Sequence, residues 1–143
     1  RVASEELGLA GTMDLPLLRK CKQPIMDIED FKTNLKKGIC YDSISRKEEK
    51  LKHRNQYFLE PINHIELCNY NRYALQLSLY AYLCELEYKI KIGRLAIRWL
   101  EFDQDSERIT SSSLIPVPYL RKDIIGICEL NKSMVENTVE KNW

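Results

Sequence analysis

The alternation of apolar and polar positions divides this chain into a few blocks of recognisable length. Residues 8–18 (GLAGTMDLPLL) are an apolar run interrupted by Asp14, and residues 25–33 (IMDIEDFKT) are a second run. Both have the length of a strand, and the polar stretch RKCKQP between them reads as a turn, so an antiparallel hairpin is expected. Residues 34–55 are polar and charged, and 45–54 (SRKEEKLKHR) read as either a short solvated helix or a loop. Residues 70–89 carry the strongest helical signal. Leu75, Leu79, Tyr82, Leu83 and Leu86 fall at helical spacing over a length no ordinary strand uses. A strand over 93–102 (GRLAIRWLEF) follows, then an acidic turn (DQDSE) and an extended segment over 114–120 (LIPVPYL). The two prolines of that segment suit a sheet edge. Residues 121–139 read as a closing helix. The order predicts an α/β fold, a central mixed β-sheet flanked by helices.

Composition supports one domain spanning 1–143. The 143 residues are 44% hydrophobic and 30% charged, with only five Gly and five Pro, enough for a core and too few for a long low-complexity stretch. No run approaches the roughly 18 apolar residues of a membrane span, so no membrane association is expected. The five cysteines (Cys21, Cys40, Cys68, Cys84, Cys128) are odd in number and scattered, without a C-x-x-C pair. That usage fits a reducing, intracellular compartment and buried, unreactive thiols. The chain begins at Arg1, which suggests processing, trimming or a place within something larger.

Net charge is only +1, which argues against a protein that works by bulk positive charge. The distribution is uneven, however. Residues 19–54 sum to +5, whereas 1–18 and 55–143 each sum to −2. Lys36 and Lys37 in the basic block are candidates to meet phosphates, as are Arg46, Lys47, Lys50, Lys52 and Arg54. The plainer alternative for 46–54 is a solvated helix face.

The chemistry concentrates in two short motifs, Gly11-Thr12-Met13-Asp14 and Asp30-Phe31-Lys32-Thr33. Side chains at i and i+2 of a strand share a face, so Asp30 and Lys32 point together and Phe31 points away. A hairpin brings Asp14 towards the same face. Two converging carboxylates repel unless a cation joins them, and a hard ion such as Mg²⁺ or Mn²⁺ is the natural one. With the lysine beside it, such a site has the parts for metal-assisted phosphodiester hydrolysis. D-x-K alone usually marks surface charges on an exposed strand, so the pairing of both motifs carries the weight. On the helix, Tyr73, Gln76 and Tyr80 lie three and four residues apart and share a face. His53 and His64 have no partner at ligand spacing and read as surface or capping residues. Tyr57, Phe58 and Tyr70 could stack on bases, with core packing the competing fate.

G-T-M-D, then D-F-K-T, then Q-L-S-L-Y in this order resembles the PD-(D/E)XK nuclease superfamily, in its RecB-like and phage-exonuclease branch. The resemblance covers about residues 5–80 by motif and implies a restriction-endonuclease-like core. It implies metal ligation by Asp14, Asp30 and the Phe31 carbonyl, with Lys32 as the catalytic lysine. Gln76 and Tyr80 match the helix motif, which supports the site and approaches the DNA backbone. Glu5 or Glu6 would correspond to the acid that some members place before the hairpin. The implied activity is that of a Mg²⁺- or Mn²⁺-dependent deoxyribonuclease, an exonuclease in DNA recombination, repair or phage DNA processing. A structure- or sequence-specific endonuclease and a non-cleaving nucleic-acid-binding module of a larger assembly stand beside it. DNA is the implied partner, with a helicase or recombination protein and self-association as further expectations. The implied location is the bacterial cytoplasm or that of a phage-infected host.

The chain also departs from the pattern. Members place an apolar pair before the D-x-K aspartate, whereas Ile28 here is followed by Glu29. Asp27 and Glu29 on the opposite face predict a partly exposed strand end. Cys128 alone after the helix does not satisfy the cysteine pattern of iron–sulfur members, so no cluster is expected. The family's leading helix would lie before Arg1 or be missing.

Overall fold

The computed structural model describes residues 1–33, 56–103, 105 and 108–141. Lys36, Lys37 and the basic stretch 45–54 lie outside the described residues. The described residues form six strands and two helices: β1 (Val2–Ser4), β2 (Leu9–Gly11), β3 (Leu15–Arg19), β4 (Ile25–Lys32), α1 (Asn69–Tyr88), β5 (Lys91–Phe102), β6 (Ile109–Val117) and α2 (Arg121–Lys141). The result is an α/β arrangement in which helices flank a mixed four-stranded sheet of order β3-β4-β5-β6.

The expected hairpin forms: β3 and β4 pair antiparallel from Leu15 opposite Glu29 to Arg19 opposite Ile25. β4 and β5 pair parallel, which demands a long crossover, and α1 lies within it. β5 and β6 are antiparallel again. Pro16 and Pro116 both fall on edge strands, where a missing N–H costs the sheet least.

Three expectations need correction. The apolar run 8–18 is not one strand. It breaks at Thr12–Asp14, and its first part pairs with β1 in a separate antiparallel ribbon, Val2 opposite Gly11 and Ser4 opposite Leu9. The extended segment expected at 114–120 begins at Ile109 and ends at Val117, because the polar Thr110–Ser113 stretch pairs with β5. Asp27 and Glu29, expected on a partly exposed strand end, are both buried. Arginines on neighbouring strands cover and neutralise them.

One face of the sheet is apolar where α1 meets it. Ile28, Leu95, Ile97, Trp99, Ile115 and Val117 pack there against Ala74, Leu77 and Ala81. Fully buried side chains such as Ile28, Leu77 and Ile97 stabilise the fold by roughly 1.5–3 kcal/mol each. The outer side of α1 meets a second cluster, in which Leu83 and Cys84 pack with Val2, Leu7, Ile124 and Cys128. A helix with both sides covered has no single apolar stripe, which is why its pattern mixes spacings. Ser78, fully buried in the middle of α1, accepts a hydrogen bond from the Leu120 amide (2.9 Å) and donates to the Pro118 carbonyl (3.4 Å). It thereby fixes the entry to α2. Among the described residues, no helix is long and apolar enough to cross a membrane.

Candidate functional site

The pairing of β3 with β4 ends at Leu15 opposite Glu29, and Asp14 lies just beyond that end, close enough to Asp30 for the two charges to interact. The Asp14 carboxylate is held there by the main chain, its Oδ2 accepting a hydrogen bond from the Phe31 amide at 2.9 Å. Asp14 is exposed, whereas Asp30 is only 3% exposed. Asp30 Oδ2 accepts no hydrogen bond of normal geometry and makes an ion pair with the Lys32 ammonium. Burial raises the Asp30 carboxyl above its usual range; Lys32 opposes that rise, and the neighbouring Asp14 charge adds to it.

The face reading of the D-x-K strand holds. Lys32 and Asp30 lie together, on the side of the sheet that α1 covers, and Lys32 Nζ sits 4.7 Å from the centre of the Tyr73 ring. Phe31 points to the other face and is exposed, and Thr33 follows the strand, exposed. Asp14, Asp30, Lys32 and Tyr73 are thus brought together from three elements.

Gln76 and Tyr80 join the first motif by a different route. Gln76 Nε2 donates to the Tyr80 hydroxyl at 2.9 Å. The Tyr80 ring lies so close to Gly11 that a Cβ there would fall 2.2 Å from Cε1. The glycine of G-T-M-D is therefore the residue that lets β2 rest on α1, three positions before Asp14. No hydrogen bond or ion pair among the described residues joins Gln76 or Tyr80 to the carboxylates. Gln76 instead lines a cavity of about 300 Å³ with Leu9, Leu75, Leu79, Ile124 and Ile127.

Glu5 and Glu6 do not join the site. They lie in the turn between β1 and β2, beyond the Ser4–Leu9 end of the ribbon, while Gly11 is at the other end. Glu6 pairs with Lys132 on α2, which holds its carboxyl below the usual range. His64 pairs at the surface with Asp123 (2.9 Å), in the first turn of α2, in keeping with the surface role expected of it. Tyr70 packs against the core and Tyr57 is exposed. Cys84 and Cys128 are buried and their thiols pushed up by burial, as unreactive cysteines are, whereas Cys21 is exposed.

Sequence reasoning missed the ion network on the opposite face of β4. Glu29, 1% exposed, takes Arg94 (3.0 Å) on one oxygen and Arg98 (2.7 Å) on the other. Asp27 Oδ1 takes Arg19 (2.9 Å) and the Arg94 amide (2.6 Å). The ladder between β4 and β5 slips at this point, between Met26 and Ile28, so Asp27 supplies the partner that a slipped strand amide lacks. The signal was present as D-x-E in one strand and R-x-x-x-R in another, each at a spacing that keeps its charges on one face.

Among the described residues no cluster of three or more Asp, Glu, His or Cys side chains is placed to hold an ion. Two carboxylates are what the candidate site shows, an oxygen donor set that suits hard ions such as Mg²⁺ or Mn²⁺, which keep several waters. The buried Asp30 carboxylate, paired with one ammonium and set beside a second carboxylate, is the feature such an ion would engage. No family model matches this chain, and neither does any curated protein or solved structure.

Proposed function

We propose that the chain is a metal-dependent deoxyribonuclease with a restriction-endonuclease-like core, acting as an exonuclease in DNA recombination, repair or phage DNA processing. One observation carries the reading: the main-chain amide of Phe31 clamps Asp14 beside a buried Asp30 whose charge Lys32 shares. Bringing two carboxylates together is unfavourable for the fold alone, and their use is to hold a cation. Asp14 and Asp30 would hold Mg²⁺ or Mn²⁺, with the Phe31 carbonyl as a third ligand. Bound there, the ion supplies Lewis acidity and an activated water at neutral pH. Asp14 is oriented by the Phe31 amide, Asp30 by its burial against α1, and Lys32 orients the nucleophile and stabilises charge at the phosphate. Tyr73 faces Lys32 from the helix, and Tyr80, hydrogen-bonded by Gln76, packs on Gly11 of the first motif.

End-labelled linear DNA and covalently closed circular DNA, each incubated with Mg²⁺, Mn²⁺ or chelator, test the proposal. Linear DNA should be degraded only with metal, and the closed circle should survive. Asp14→Ala and Asp30→Ala should bring hydrolysis below detection, and Lys32→Ala should lower it by about 10²–10⁴-fold. Full activity in the Lys32 variant would overturn the assignment.

A further inference from the structure

We propose that the Lys32 ammonium is the resident counter-ion of the Asp30 carboxylate, that a divalent cation must displace it, and that the Tyr73 ring is the seat it keeps when displaced. The inference rests on the metal site of the preceding section. It begins from a shortage of positive charge. Asp30 is buried, and its Oδ2 pairs with the Lys32 ammonium while the Asp14 carboxylate stands beside it. One ammonium facing two carboxylates leaves the cluster under-neutralised, whereas a divalent ion balances both.

The two cations cannot share that oxygen, because like charges a few ångströms apart in a partly buried place repel strongly. A bound ion therefore moves Nζ away from Asp30. Somewhere for it to go already exists. Nζ stands 4.7 Å from the centre of the Tyr73 ring, inside the roughly 6 Å over which a ring face attracts a cation. The Lys32 side chain is 21% exposed, so its head also keeps contact with water. No proton moves in this exchange: the lysine remains an ammonium, gives up an anion and retains the ring.

Two consequences separate this arrangement from a lysine that merely sits nearby. Lys32→Met keeps the length of the side chain and removes the competitor, so Mn²⁺ should bind about tenfold more tightly. Tyr73→Leu removes the alternative seat, so Mn²⁺ should bind several-fold more weakly, but only while Lys32 is present. In the Lys32→Met background the Tyr73 change should do nothing, a coupling that a double-mutant cycle isolates.

The experiment is a Mn²⁺ titration followed by electron paramagnetic resonance on chelator-stripped protein. It compares the unaltered chain, the two single variants and the double variant, with Asp30→Asn as the control for the site and circular dichroism to establish folding. Tighter binding in Lys32→Met together with a lysine-dependent Tyr73 effect supports the proposal. Equal or weaker binding in Lys32→Met, with binding in the unaltered chain and loss in Asp30→Asn, overturns it and leaves the metal site standing. A Tyr73 effect of the same size in both backgrounds overturns the ring as the seat. No Mn²⁺ binding by either the unaltered chain or Lys32→Met overturns the metal site and this inference together.

Discussion

The two faces of β4 carry acidic residues that meet opposite fates. On the face away from α1, Asp27 and Glu29 are buried, and each is met by two donors: Arg19 and a main-chain amide for one, Arg94 and Arg98 for the other. On the face towards α1, Asp30 is just as buried but meets a single ammonium and stands beside a second carboxylate. One strand thus shows both ways a fold handles buried charge. A carboxylate whose acceptor sites are filled is part of the scaffold. A carboxylate left short of positive charge is a place where something else can bind.

The sharpest way to break the contrast is to strip the filled side. Arg94 and Arg98 are themselves partly in water (49% and 32% exposed), but Glu29 is not. Arg94→Ala/Arg98→Ala should therefore cost about 3–5 kcal/mol in urea denaturation, because it strands a buried charge. Gly93→Ala acts on the same face more mildly. A Cβ at Gly93 would fall 2.2 Å from Asp27 Oδ1, 2.3 Å from Arg19 Nη2 and 2.8 Å from Ile25 Cγ2, so these side chains must shift. An overpacking loss of about 1–3 kcal/mol is expected, again read from a denaturation midpoint.

The third variant should act in the opposite direction. Burial raises the Asp30 carboxyl, so the folded protein holds that proton more tightly than the unfolded chain. Stability on this account falls as pH rises from the unfolded value near 4 through the higher folded value. Asp30→Asn should then raise the melting temperature of the metal-free protein at pH 7–8 by about 2–6 °C. The gain should vanish below about pH 4, where the aspartate is protonated in both states. A melting temperature that falls at neutral pH would mean that Lys32 fully compensates Asp30, and the contrast between the faces would disappear.

Much of this was legible in the sequence wherever the signal was local. The hairpin, the long helix, the closing helix and the shared face of Asp30 and Lys32 each follow from periodicity within one or two segments. The edge placement of Pro116 followed from proline's missing donor. What could not be read were pairings between distant residues. β1 is three residues long and has too few positions to show a period, so the ribbon that splits 8–18 left no trace. Thr110–Ser113 reads as polar loop, and it becomes strand because β5 is beside it. Asp27 and Glu29 look like surface residues until Arg94 and Arg98, more than sixty positions away, come to lie on them. Within the candidate site, D-x-K, Asp14 and Tyr73 were found by pattern, while the way Gly11 admits Tyr80 required the packing of β2 on α1.

The parallel pairing of β4 with β5 also sets an order of events during folding. The contact between Asp14 and the Phe31 amide spans 17 positions and belongs to a hairpin, a structure that closes within microseconds. The Glu29 contacts with Arg94 and Arg98 span 65 and 69 positions and must wait until the crossover has brought β5 alongside. The two carboxylates of the candidate site can therefore meet in a chain whose sheet is still unfinished, while the arginines that neutralise their neighbours arrive later. If the proposed metal site is correct, a divalent ion present at that stage would meet both carboxylates before the scaffold is complete.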